Sequence, residues 1–398
     1  MTIVDQLLEQ PAATQRETTV RPAQSPLSGQ RIKSVDALRG LAALSVVFGH
    51  ALLFFREPLR PEFHALASGD WHRLSPIFLI EISPLHLMVA GHEAVMLFFL
   101  LSGFVLFLPW EEPGTLTYRT YLIRRICRIY LPYLAALLPA IVLNFSLSTG
   151  GLPGMNEFFN RFWKLPVQIH DVLVHVCMLG GFNTDAFVPP IWSLVHEMRL
   201  SLVFPLLAGL VRRDGKPLAI VGMLSIAGLI TDYFWGGREE NYFISLHYAA
   251  LFLLGAWLAG HRRKVEAWYN TLSPRYRGWL LAGSVLVYIY GRFLSSLWPG
   301  QPAFPDIFIA AGAVGILVWA LSNPPLLQAA PAQWLGRISY GLYLVHFSVY
   351  LSLVYLLHRF LPAWTIIAIA IPVALALSHG FWRFVECPSI RLGRALTR

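Results

Sequence analysis

Apolar runs of about twenty residues, separated by short polar stretches, recur from residue 37 to residue 385 of this 398-residue chain. A helix crossing a hydrocarbon layer roughly 30 Å thick needs about that many consecutive apolar residues. The pattern predicts ten spans, at 37–55, 86–108, 130–148, 191–211, 217–234, 242–260, 277–297, 305–322, 338–358 and 363–385. The expected fold is therefore all-α, a polytopic membrane helix bundle. Residues 34–390 form its membrane domain, followed by a short basic cytosolic tail at 391–398. Residues 1–33 contain Pro11, Pro22 and Pro26 and lack sustained helical periodicity, which predicts a flexible cytosolic tail. No apolar core follows a short basic start, so this tail is not read as a signal peptide. The run at 170–182 is too short to span and is expected to be re-entrant or interfacial.

Composition agrees with this reading. Hydrophobic residues make up 56% of the chain and charged residues 13%, about half the charged share of a soluble domain. The net charge of +9 does not point to nucleic acid, because most Lys and Arg sit in short loops between apolar runs. The segments expected inside hold 20 of them and the outside loops 7, a bias that places both termini in the cytosol. Cys127, Cys177 and Cys387 have no spacing that suggests a disulfide framework or a metal site, and no metal is expected. The longer outside loops, 56–85 and 149–190, are rich enough in Trp, Phe, Pro and His to shape a site on the outer face.

Charged residues inside spans change the picture most, since each costs on the order of 3 kcal/mol to insert. Arg39 and His50 share the first span. Eleven residues at 100° each return to within about 20° of the same face, about 16 Å further along the axis. Arg39 alone fits either a snorkelling anchor or a functional cation, and His50 either a packed core residue or a base. In the fourth span Ser193 and Glu197 share a face, with Arg199 and His196 close enough in sequence to pair with the carboxylate. A carboxylate beside an imidazole fixes its tautomer and raises its basicity, so contact between Glu197 and His50 is expected to make a general base. Arg124, Arg125 and Arg128 cluster on one helical turn, suited to a topology signal or to phosphate recognition.

The chain resembles the acyltransferase family 3 membrane proteins from residue 34 to its end. The likeness rests on ordered motifs: Arg39 and His50; FFLLSGF with Phe98, Phe99, Ser102 and Gly103; RRICR; WSLVHE with Trp192, Ser193 and Glu197; SYGLYLVH with Ser339, Tyr340, Tyr343 and His346; and a closing Glu386 and Pro388. It departs from the family where Ala94, Val95 and Met96 replace a usual Gly-Val-Asp, and where Leu200 and Ser201 replace an aromatic pair. The resemblance implies transfer of an acyl group, most often acetyl, from cytosolic acyl-coenzyme A to a carbohydrate acceptor. Its implied sites are His50 as catalytic histidine, as base or transient acyl carrier, with Glu197 supporting it or the acceptor. Arg39, Arg124, Arg125 and Arg128 are implied at the donor.

Ser102, Ser193, Trp192, Tyr340 and His346 are candidates to line the cavity; for Ser102, an oxyanion donor or covalent relay is the alternative to the close helix packing that a Ser-Gly pair more often serves, and packing is the expectation. Ser339, Tyr343 and His346 share one face at i, i+4 and i+7, which also suits an interhelical hydrogen-bond network. The expected setting is the bilayer of a bacterial inner membrane. A transporter or flippase for a sugar-linked lipid is the rival reading, using the same intramembrane charges to line a polar path. The chain ends soon after its last span, so transfer is expected within the membrane domain or with a separate partner.

Overall fold

Ten long helices occupy the ten apolar segments in the computed structural model, which describes residues 32–55, 68–111, 116–163, 167–181, 183–212, 217–235, 242–291, 293 and 305–397. The predicted tail at 1–33 falls almost wholly outside the described residues, as does Arg292. The helices are α1 (Lys33–Leu53), α2 (Gly91–Phe107), α3 (Tyr118–Leu147), α4 (Trp192–Arg212), α5 (Pro217–Trp235), α6 (Ile244–Thr271), α7 (Pro274–Tyr290), α8 (Pro305–Leu321), α9 (Ala330–Leu357) and α10 (Ala363–Phe381). A shorter helix, α11 (Cys387–Ala395), follows. No strand occurs among the described residues.

Among the described residues, seven helices are long and apolar enough to cross a bilayer: α1, α2, α3, α4, α6, α9 and α10, the last continuing into α11. Of the ten expected crossings, these seven meet the length and composition of a spanning helix. Two other apolar helices, Ala219–Thr231 within α5 and Pro305–Leu321, are shorter; seventeen residues rise only about 26 Å. The first turn of α7 carries Arg275 and Arg277, which lowers its apolar character.

The bundle is assembled through glycines. α1 and α9 make the most extensive contact and run parallel, with Asp36 and Gly40 against Gly336 at one end and Val47 bonded to Tyr350 at the other. A methyl on Gly40 or Gly336 would collide with the backbone of the facing helix. The same interlock joins α2 to α6, where Gly103 meets the Phe252 backbone and Gly255 meets Leu100. Lipid supplies no hydrophobic drive between helices, so such close approach, with its dispersion contacts, holds them together.

One widened turn lies within α3 and another follows α10. A π-helical turn at Ile126–Tyr130 interrupts α3, and another at Trp382–Glu386 joins α10 to α11. The first packs against α11, where Gly393 seats on Cys127. In the loops before α2 and after α3, Ser75 and Asn156 cap short helical segments at Pro76–Ile82 and Glu157–Asn160. The run expected to be re-entrant or interfacial is a nine-residue helix, Ile169–Cys177, with Ile169 and Leu173 exposed. Tyr130 and Tyr133 donate to the Val176 and His175 carbonyls, at 2.7 and 2.8 Å, and dock it on α3.

A charged cluster not anticipated from sequence ties three helices together. Asp306, buried in the first turn of α8, accepts from His92 of α2 at 2.6 Å and from His247 of α6 at 3.0 Å. His86 and Glu93 form a further pair at 3.3 Å. Asp306→Ala would leave both imidazole donors facing a carboxylate-sized hole. A loss of about 2–4 kcal/mol is expected, read as a lowered unfolding temperature in detergent. A second expectation concerns pH. Burial pushes the His175 imidazole below its ordinary pKa, so its contribution to docking is present above about pH 6.5 and lost on acidification. Hydrogen-exchange protection factors in the helix Ile169–Cys177 should fall between pH 7 and 5, and His175→Phe should abolish that fall.

Candidate active site

Four helices, α1, α2, α4 and α9, converge on a small cavity that is partly open to solvent. Arg39 enters from α1, Ser102 from α2, and Ser193 with Glu197 from α4. The face of α9 supplies Ser339, Tyr340 and Tyr343; Phe98, Phe99 and Leu194 complete the wall. Ser193 and Glu197 point the same way because they stand one helical turn apart. Ser102 Oγ donates to Glu197 Oε1 at 3.1 Å, so Ser102 serves the polar wall while its neighbour Gly103 makes the close helix contact. A carboxylate inside a membrane bundle needs such partners, and Arg39 shares its cavity.

Hydrogen bonds hold the tyrosines in position. Tyr343 OH lies 2.7 Å from the Pro190 carbonyl and 2.6 Å from Ser193 Oγ. The carbonyl can only accept, so Tyr343 donates to it and Ser193 donates to Tyr343. Tyr340 donates to the Ile129 carbonyl in the first π turn at 2.8 Å. One residue on, the Gly341 amide donates to Glu386 Oε1 of the second π turn, also at 2.8 Å. A side chain at Gly341 would crowd this carboxylate oxygen. The two widened turns thus grip the middle of α9 from two sides, and Glu386 of the closing motif acts on the backbone that carries the cavity tyrosines.

His50 lies beyond Tyr343, outside the cavity wall. Its Nδ1 is 2.8 Å from Nε2 of His346, one helical turn along α9 from Tyr343. The two imidazoles stack with centroids 5.1 Å apart and planes 11° apart, and Phe347 meets His50 edge-on at 5.1 Å. His346 is fully buried and His50 partly exposed. Segment 158–163 roofs this region: Phe162 packs on Phe347, and Arg161 lies over the Phe158 and Phe162 rings while pairing with Asp185 at 3.2 Å. Between cavity and histidines stand Tyr343 and Phe98, edge to face at 5.8 Å.

Several sequence expectations are placed differently. Glu197 is held by Ser102 and does not contact His50; the imidazole's partner is His346. Trp192 stands beside His196 and Tyr248 rather than in the cavity wall. His196 bonds Ser245, and Arg199 spends its guanidinium on the Leu179 and Gly180 carbonyls and the Tyr242 ring. The three clustered arginines diverge. Arg125 is buried beneath Tyr121, Arg124 is exposed and donates to Thr397, and Arg128 is exposed on the π turn that Tyr340 bonds. None of the three lines the cavity. Among the described residues, no group of three or more His, Cys, Asp or Glu is arranged to hold a metal ion.

The pairing of His346 with His50 was not read from sequence. The i, i+4, i+7 face of Ser339, Tyr343 and His346 was the available signal, and it needed the register of α1 on α9 to become a partner.

Comparison with known proteins agrees with this geometry. Residues 32–383 match a family model described as an acyltransferase domain. The acyltransferase MdmB of Streptomyces mycarofaciens is 37% identical over 297 residues, covering 67% of this chain and 70% of that protein. The peptidoglycan O-acetyltransferase OatA of Listeria monocytogenes is 23% identical over 395 residues, covering 91% of this chain. The chain spans 56% of that relative's length. No solved structure matches the chain. A membrane helix bundle that carries the Arg39, His50, Glu197 and His346 motifs in order, and matches the family along most of its length, belongs to acyltransferase family 3 and is an acyltransferase.

Proposed function

We propose that the protein is an integral membrane O-acyltransferase that moves an acyl group, acetyl by preference, from cytosolic acyl-coenzyme A to a sugar hydroxyl, in a bacterial plasma membrane. The observation that carries this reading is the arrangement along α1 and α9. A cavity with Arg39 and Glu197 at one level leads, past Tyr343 and Phe98, to a partly exposed histidine at the next. Arg39 and His50 are separated by three helical turns, about 16 Å, a span that suits an extended pantetheine arm. Arg39 then steadies the donor's charge, with Arg125 and Arg128 contributing positive potential at the same end of the bundle.

In the transfer step His50 takes the proton of the acceptor hydroxyl as its oxygen bonds to the acyl carbon. The carbon–sulfur bond breaks, and the leaving thiolate takes up that proton. A carbohydrate acceptor is supported by the relative named for peptidoglycan O-acetylation.

Mass spectrometry of envelope glycans tests the proposal. Cells expressing the wild type should show an ester mass increment that is absent with His50→Ala. Identical glycans from the two, with both proteins in the membrane, would remove the acceptor assignment. Purified protein with labelled acyl-coenzyme A then decides the reaction itself, where His50→Ala should lower kcat by roughly 10²–10⁴-fold. Arg39→Ala should raise the donor KM about tenfold or more, the loss of one charge-assisted contact.

A further inference from the structure

His346 Nδ1 lies 2.8 Å from the Leu342 carbonyl, one turn earlier on the same helix. A carbonyl oxygen only accepts, so the proton sits on His346 Nδ1. Among the described residues no carboxylate is bonded to either imidazole, and His346 is fully buried; a charged ring there would have no counter-ion among them. A neutral His346 with its proton on Nδ1 presents a lone pair at Nε2, and that atom is 2.8 Å from His50 Nδ1. His50 must then donate from Nδ1, which leaves the lone pair of its own ring on Nε2. Free imidazole side chains in water favour the opposite tautomer, so a dedicated acceptor is required to impose this one.

We infer that His346 is a positioning residue: relayed from the Leu342 carbonyl, it fixes His50 in the Nδ1–H tautomer and makes His50 Nε2 the nitrogen that takes the acceptor's proton. This inference rests on the acyl-transfer reading above. The surrounding packing serves the same end. Phe347 abuts the His50 ring edge-on, Tyr350 sits edge-on to His346, and Tyr350 OH anchors to the Val47 carbonyl of α1 at 3.0 Å. These contacts pack against both rings. When Nε2 accepts the proton, positive charge spreads over the pair through the Nδ1–H···Nε2 bond, until the thiolate removes the proton.

Two substitutions separate this role from simple packing. His346→Phe fills the space without an acceptor. His346→Gln offers a side-chain oxygen near the lost Nε2. With purified protein and labelled acyl-coenzyme A, His346→Phe should lower kcat about 10²-fold with the donor KM unchanged, and His346→Gln should recover most of the loss. Nitrogen-15 NMR of histidine-labelled wild type, with the His50 signals assigned by their disappearance in His50→Gln, should show a protonated Nδ1 and a bare Nε2. Full activity of His346→Phe, equal loss in folded His346→Phe and His346→Gln, or a His50 protonated on Nε2 each overturns the inference. Where the variants do not fold, the wild-type spectrum decides. The parent reading fails separately, if His50→Ala itself retains acyl transfer.

Discussion

The parallel crossing of α1 on α9 is the contact on which the site depends. Gly40 and Gly336 let the two backbones touch, and dispersion at that distance is what a lipid-facing bundle has in place of hydrophobic drive. From that point the register of every polar residue follows. Arg39 shares a cavity with Ser339 and Tyr340, and two to three turns on, His50 meets His346. A larger residue at either glycine would spread the helices and separate the two imidazoles, which are joined by a single hydrogen bond.

Such a register needs a second constraint, because a smooth pair of helices slides. The two π turns supply it. A widened turn frees backbone groups from the regular ladder, and here those segments are bonded to α9: Tyr340 reaches the Ile129 carbonyl, and Glu386 takes the Gly341 amide. The middle of α9 is thus pinned between α3 and the end of α10. The same π turn carries Arg128, so the structural grip and the positive charge occupy one segment. On the far side, Asp306 with His92 and His247 locks α2 and α6 to α8, which steadies the α2 face that carries Phe98 and Ser102.

Polar groups in this bundle are divided between two tasks. Most hold backbone: Tyr130, Tyr133, Tyr343, Tyr350 and Arg199 all donate to carbonyls of loops or facing helices. Arg39, Glu197 and His50 do not, and the cavity and its partly exposed histidine are built around them. That division explains why counting intramembrane charges alone does not find a site. Arg199 is as costly to insert as Arg39, yet its guanidinium is consumed by loop carbonyls.

From the sequence by itself came the all-helical bundle, the positions of its ten helices, and the family, because apolar period and motif order are local properties that a single chain displays. The shared face of Arg39 and His50, and that of Ser193 and Glu197, were equally legible, since helix geometry makes them so. Which faces meet was not. Glu197 was expected at His50 because a carboxylate beside an imidazole makes a general base, but α4 presents it to Ser102, whereas α9 brings His346 to the imidazole. Helix ends were not legible either: among the described residues seven helices have the length and composition to cross a bilayer, while Ala219–Thr231 and Pro305–Leu321 are shorter, and apolar runs in sequence do not show where a helix starts and stops. Helix partnership and register arise from glycine contacts and π turns between segments hundreds of residues apart, and only the tertiary structure decides those.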